Sequence, residues 1–181
     1  MKKFMMTLAA VLCCTMTTTV FTACGSDDDN NSKPQDPPTS CEMKATLLTD
    51  DETLVSFDFY FKYYDENGQI KSEKLVFDEK DNEGRRTCTK TVTAKLPGVV
   101  GGLCEAKMKD GAGTGAKHYA RGFEVSFMSY TASKKSINFY KPGWGYFVNN
   151  IYETLPDDYA RVMDITCQFD SQGTGSLGRW N

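Results

Sequence analysis

The chain has 181 residues, enough for one or two domains, and 21 basic against 24 acidic side chains give a formal net charge of −3. So near-neutral a balance gives no electrostatic footprint for nucleic acid, and a single histidine, His118, excludes a His-rich metal site and any mechanism that needs two histidines. Tyr and Phe are plentiful, 9 and 11, with 15 Gly, a mix that leans toward strands and tight turns.

The first residues do not read as part of a fold. Met1-Lys2-Lys3 is a basic start, Phe4 to Leu12 is a short apolar run, and Cys13, Cys14 and several threonines continue it to Phe21. The run is too short and too polar at its end for a transmembrane helix and reads as a secretory signal, residues 1–23. Phe21-Thr22-Ala23-Cys24 resembles the lipobox of bacterial lipoproteins, in which the cysteine after the cut becomes the lipidated N-terminus. Gly25-Ser26-Asp27-Asp28-Asp29 resembles the acidic export signal of surface-exposed lipoproteins of Bacteroides-type bacteria. The resemblance covers about the first thirty residues and carries an address, not an activity. It implies lipid attachment at Cys24, an export signal at Ser26, Asp27, Asp28 and Asp29, and an outer-membrane protein facing the cell exterior. One acyl chain holds a protein only marginally, whereas the two or three on a lipoprotein cysteine make a lasting anchor.

Cleavage before Cys24 removes 23 residues, Lys2 and Lys3 among them. It leaves 158 residues with 19 basic and 24 acidic side chains, a net charge of −5. Residues 24–40 hold four aspartates and three prolines and no large apolar side chain. Such a segment buries too little surface to offset its ordering entropy. It is expected to be a disordered tether, with residues 25–40 spanning at most ~55 Å fully stretched and roughly 20–25 Å as a coil.

From Cys41 to the end the expected unit is a single β domain, residues 41–181. Cys41, Met43, Ala45 and Leu47 alternate onto one face, and after a turn at Thr49-Asp50-Asp51 so do Val55, Phe57, Phe59, Phe61 and Tyr63. Asn67-Gly68 is a strong hairpin signal, with a return strand near Ile70 to Phe77 and a polar loop after it. Further strands put Cys88, Val92, Ala94 and Leu96 inward, then Cys104, Ala106 and Met108, then Phe123, Val125 and Phe127. Shorter candidates are Ser136–Tyr140 and Gly145–Tyr152, followed by one with Met163, Ile165, Cys167 and Phe169 inward, and an edge segment near Gly173–Trp180. Pro156 to Tyr159 suits one helical turn. Nine or ten antiparallel strands at such spacing predict an all-β sandwich, immunoglobulin-like in broad architecture, or else an up-and-down, lipocalin-like β-barrel.

Four cysteines remain for the domain, and an even number in an exported domain permits disulfides. Cys41 with Cys167 and Cys88 with Cys104 is the favoured pairing, because domain termini are often close. Buried free thiols are the alternative, since all four lie on inward faces. No two have paired zinc-ligand spacing, so no metal is expected. Asp110 to His118 holds three glycines but precedes a strand, not the helix a phosphate loop needs. Asp78 to Glu83 lacks the spacing of a calcium loop. His118 has no evident nucleophile to activate, no catalytic residue is assigned, and no cofactor is expected. The strongest binding signal is "NFYKPGWGYFVNN", where Tyr140, Trp144, Tyr146 and Phe147 surround a proline and two glycines. Loop aromatics offer flat faces with polar tips, suited to a glycan or a protein ligand; Trp144 closing the end of the core is the competing reading. The function expected is a surface-displayed, non-catalytic binding or adhesion module. A lipid or small-molecule barrel, an assembly subunit and a surface glycan-processing enzyme remain alternatives.

Overall fold

The computed structural model describes residues 36–113, 115–143, 145–152 and 154–180. The signal, Cys24, the acidic run and Trp144 therefore lie outside the described residues. What is described is a two-sheet, antiparallel β-sandwich, and the two sheets do not close into a barrel. Sheet one runs β4 (Glu79–Lys80), β5 (Arg86–Lys95), β1 (Pro38–Thr49), β7 (Ala116–Thr131), with β8 (Ser136–Tyr140) and β9 (Tyr146–Tyr152) both on β7. Sheet two runs β11 (Gly175–Gly178), β10 (Arg161–Phe169), β6 (Gly98–Met108), β2 (Phe57–Tyr64), β3 (Ile70–Lys74).

The inner faces are those the alternation marks. Cys41, Met43, Ala45 and Leu47 on β1 face Phe57, Phe59 and Phe61 on β2, and every one is buried. Phe57 meets Tyr119 of sheet one edge to face at 5.1 Å, and Phe59 meets Phe77 in the same way at 5.3 Å. Such pairs add ~0.5–1.5 kcal/mol each beyond the area they bury. Phe123, Val125 and Phe127 on β7 and Cys167 and Phe169 on β10 complete the layer.

Two expectations about element limits change. β1 begins at Pro38, three residues inside the expected tether; a proline fits a strand's first residue, where its missing N–H removes no ladder bond. Val55 is not on the inner face of a strand. It is 76% exposed, on a short helix α1 (Asp51–Ser56) that precedes β2. Asp50 starts that helix by accepting a hydrogen bond from the Thr53 N–H at 2.8 Å, the N-cap arrangement that satisfies an otherwise orphaned donor.

The cysteine pairing also changes. Cys41, Cys88, Cys104 and Cys167 are all free and buried. All four belong to the one buried core, Cys41 and Cys88 from sheet one and Cys104 and Cys167 from sheet two. Burial itself, the dominant cause, raises all four thiols, Cys41 to about 11 and Cys167 to about 12. A buried thiol held protonated is a poor nucleophile. They serve as small apolar core residues.

One turn design recurs. In Asp65–Gln69, Asp81–Arg85 and Asp170–Thr174, the Asp carboxylate accepts from the backbone N–H groups two and four residues on, all at 2.9 Å. The fourth residue is a glycine at φ 73, 79 and 76, a left-handed conformation that costs glycine nothing. The β7–β8 turn copies this with Thr131 in place of Asp: its hydroxyl accepts from the Lys135 N–H at 3.1 Å. Lys134 then occupies the glycine position at φ 62, where a side chain costs roughly 1–2 kcal/mol. Lys134→Gly is therefore expected to stabilise the protein by about 0.5–1 kcal/mol after the entropy that glycine loses on folding. Chemical denaturation measures this, and a lower stability for the variant would refute the strain.

Candidate functional site

Two places gather polar and aromatic side chains, one at each end of the sandwich. The first centres on His118, which stands on the outer face of β7. Its Nε2 lies 2.6 Å from Asp50 Oδ2 and its Nδ1 3.3 Å from Glu52 Oε2. The Tyr146 hydroxyl donates to the same Asp50 oxygen at 3.3 Å. Tyr146 can lie across β7 because its partner there is Gly122, where a Cβ would come within 2.8 Å of the Gly145 carbonyl and 3.0 Å of Tyr146 Cα. Over the tyrosine ring sits the Arg85 guanidinium, 5.3 Å from its centre, held by Asp81 at 2.6 Å and Glu83 at 3.1 Å.

The electrostatics of this cluster hold its members to one another. Partial burial works to raise Asp50, but hydrogen bonds from the Thr53 backbone and hydroxyl, and then His118, outweigh it and hold the carboxyl below its usual value. Burial, with the Asp50 charge adding to it, pushes the Tyr146 phenol up to about 12, so Tyr146 stays a proton donor. Both ring nitrogens of His118 already face carboxylates, which leaves no lone pair aimed at a substrate.

The second place is a half-open groove of about 740 Å³. Its walls are the Asp65–Gln69 turn, the Leu96–Pro97 crossing between the sheets, and β11 with the residue after it. Tyr64 stacks on Trp180, ring centres 4.4 Å apart at 25°. Trp180 is itself buried, and its backbone N–H donates to the Asp164 carboxylate at 2.8 Å. Tyr64 lines the groove, and beside it stand Leu177, 51% exposed, and the polar side chains of Glu66, Lys95, Gln168 and Arg179. Asp65 also lines it, but its carboxylate is spent on the turn. This is the composition of a ligand groove, apolar faces with a few convergent polar groups.

Of the aromatic segment singled out from sequence, the described residues Tyr140, Tyr146 and Phe147 do not share one face. Tyr140 pairs with Phe127 and points into the sandwich, where its ring packs on Phe169 at 6.1 Å and its hydroxyl accepts from the Gly175 N–H at 3.1 Å. Tyr146 points to the opposite, outer face. Phe147, the next residue along β9, is 48% exposed and turns back to the inner side with Arg121. Asn138 donates to the Gly173 carbonyl at 2.7 Å. Sequence reading missed Asp50 as the partner of His118, 68 residues away, and missed Tyr64, Trp180 and Arg179, which chain order does not bring together.

Asp50→Ala removes a helix cap, and a loss of about 1–2 kcal/mol is expected at neutral pH. Because the folded Asp50 carboxyl sits below its unfolded value, its contribution is full above the unfolded pKa and is lost as pH falls through the folded one. The gap between variant and wild type should therefore close in acid. A gap of equal size at both pH extremes would remove Asp50 from that role. Set beside protein-family models, curated proteins and solved structures, the chain matches none.

Proposed function

We propose that the protein is a surface-displayed outer-membrane lipoprotein whose β-sandwich is a non-catalytic binding module, and that its ligand, a glycan, lies in the groove beside Tyr64. The observation that carries this reading is the groove itself: Tyr64, backed by the buried Trp180, stands beside Gln168, Lys95 and Arg179 in a half-open channel of about 740 Å³. A sugar ring has an apolar face that suits an aromatic wall and a rim of hydroxyls that suits such side chains. The address comes from the resemblance of Phe21–Cys24 and Gly25–Asp29 to a lipobox and an acidic export signal. A non-catalytic role is supported by the engagement of His118 and Asp50 with one another and with their neighbours.

Two experiments test this reading separately. If Cys24 carries the lipid, Cys24→Ala moves the protein from the membrane fraction to the soluble one; a variant that still sediments with membranes refutes the anchor. For the ligand, a glycan array probed with the purified chain should show binding that Arg179→Ala weakens about tenfold, on the order of 1.4 kcal/mol. Tyr64→Ala should weaken it at least as much. Binding by the wild type that neither substitution disturbs would place the ligand elsewhere, and no glycan binding at all would shift the reading to a protein ligand.

A further inference from the structure

The outer edge of β9 is built unlike every other edge of the two sheets. Edge strands expose unpaired backbone groups, and soluble proteins guard them with charge, proline, glycine or shortness. β3 carries Lys71, Glu73 and Lys74 in five residues, β4 is the two residues Glu79-Lys80, and β11 has four residues of which two are glycine. β8 has five residues, with Lys134 and Lys135 before it and Lys141 after it. β9, Tyr-Phe-Val-Asn-Asn-Ile-Tyr, has seven residues and no charge, proline or glycine. It pairs with β7 on one side and, among the described residues, with no strand on the other. Along it Val148 is 53% and Tyr152 67% exposed.

From this edge we infer that the protein forms a homodimer by antiparallel pairing of β9 with β9 of a second copy. The segment's own order selects a second copy over an unrelated strand. A two-fold axis through an antiparallel ladder must set one residue opposite itself. With Asn149 on the axis, Val148 faces Asn150, Phe147 faces Ile151 and Tyr146 faces Tyr152 of the other copy. Aromatic–aromatic and aromatic–β-branched pairs are among the favourable cross-strand pairs, and no like charges meet. Each Asn149 amide both donates and accepts, so the residue on the axis can satisfy its own copy. Ile151 is already buried, so Phe147 of one copy would continue the apolar layer of the other. Sheet one then runs unbroken through both copies. β9 also extends past the Leu48 end of β1, away from Pro38 where the chain enters the fold. Seven paired residues form a small interface, at or below the ~1,200 Å² limit of weak complexes, so dissociation in the micromolar range is expected.

Sedimentation of the purified full-length chain over a concentration series tests this. The expected result is a monomer–dimer equilibrium that Val148→Lys weakens at least tenfold, with thermal stability unchanged because Val148 points to solvent. Tyr152→Lys is the second such variant, should the first not fold, and Val76→Lys, an exposed apolar site away from β9, should leave the equilibrium as it was. Asn149→Cys should give a disulfide-linked dimer on mild oxidation beyond any formed by the unsubstituted chain. A wild type that stays monomeric throughout the series overturns the proposal, as does a dimer that neither lysine variant weakens.

Discussion

Strand β7 is the constraint that orders the rest. Its sixteen residues make it longer than any strand beside it, and every backbone group along both its edges needs a partner. β1 supplies them only from Thr131 back to Gly122. Beyond that point two threonine hydroxyls continue the ladder: Thr49 donates to the Ala120 carbonyl at 2.8 Å, and Thr53 accepts from the Ala120 N–H at 2.7 Å. Both threonines are fully buried. The helix α1 thus has a specific task, which is to carry Thr53 to the place where β1 has ended. On the other edge no single strand is long enough either. β8 covers Phe127 to Tyr130 and β9 covers Ala116 to Gly122, end to end.

The polar cluster at His118 follows from those two solutions. Asp50 must cap α1 so that Thr53 is in position, and this places its second carboxylate oxygen beside the outer face of β7. His118 and Tyr146, from β7 and β9, both reach that oxygen. One carboxylate therefore ties together the helix that ends the β1 side and the strand that ends the β8–β9 side. The chain's one histidine is accounted for by this fastening, which is why it lacks the open nitrogen of a general base. At the inner face of the same region Tyr119 is buried, its phenol pushed up to about 12 by burial, and it donates to the Tyr159 carbonyl. Arg121 donates to that carbonyl too, at 2.8 Å, while lying over both tyrosine rings.

Alternation in the sequence reads out this core because an inner sandwich face tolerates only apolar side chains, at every second residue. Cys41 to Leu47, Phe57 to Phe61 and Phe123 to Phe127 all obey it. The same rule misleads at Val55, which is in phase with Phe57 but belongs to α1. The cue to the contrary was local and small: an Asp three residues before a Thr, a cap. The D-x-x-G turns at Asp65, Asp81 and Asp170 were fully present in the sequence, since their hydrogen bonds are local. What chain order could not supply was anything requiring two distant segments. The end-to-end placement of β8 and β9 depends on the register each takes on β7. The aromatic segment around Pro142 looked like one surface because its rings are adjacent in sequence, yet the pleat sends Tyr146 and Phe147 to opposite faces. Cysteine separation across the core is likewise a tertiary quantity, so inward-facing positions were legible while the bonding state was not.

The two ends of the sandwich divide the work. At the end where Leu48 leaves β1, the chain is fastened by buried threonines, a shared carboxylate and stacked cations, an arrangement that resists change. At the Pro38 end, Ser40 pairs with Lys95, and the groove is framed by a turn, a sheet crossing and a terminal edge strand. Such connecting segments lie at the surface and tolerate variation better than the strands they join. Tyr64 and Trp180 nonetheless stand on rigid supports, one continuing β2 and the other pinned to Asp164. This arrangement gives the groove a fixed aromatic wall, Tyr64, beside the polar side chains of Lys95, Gln168 and Arg179. It also places the groove at the end where the chain enters the fold. On the lipoprotein reading, a tether of about a dozen residues would then set how far that groove stands from the membrane.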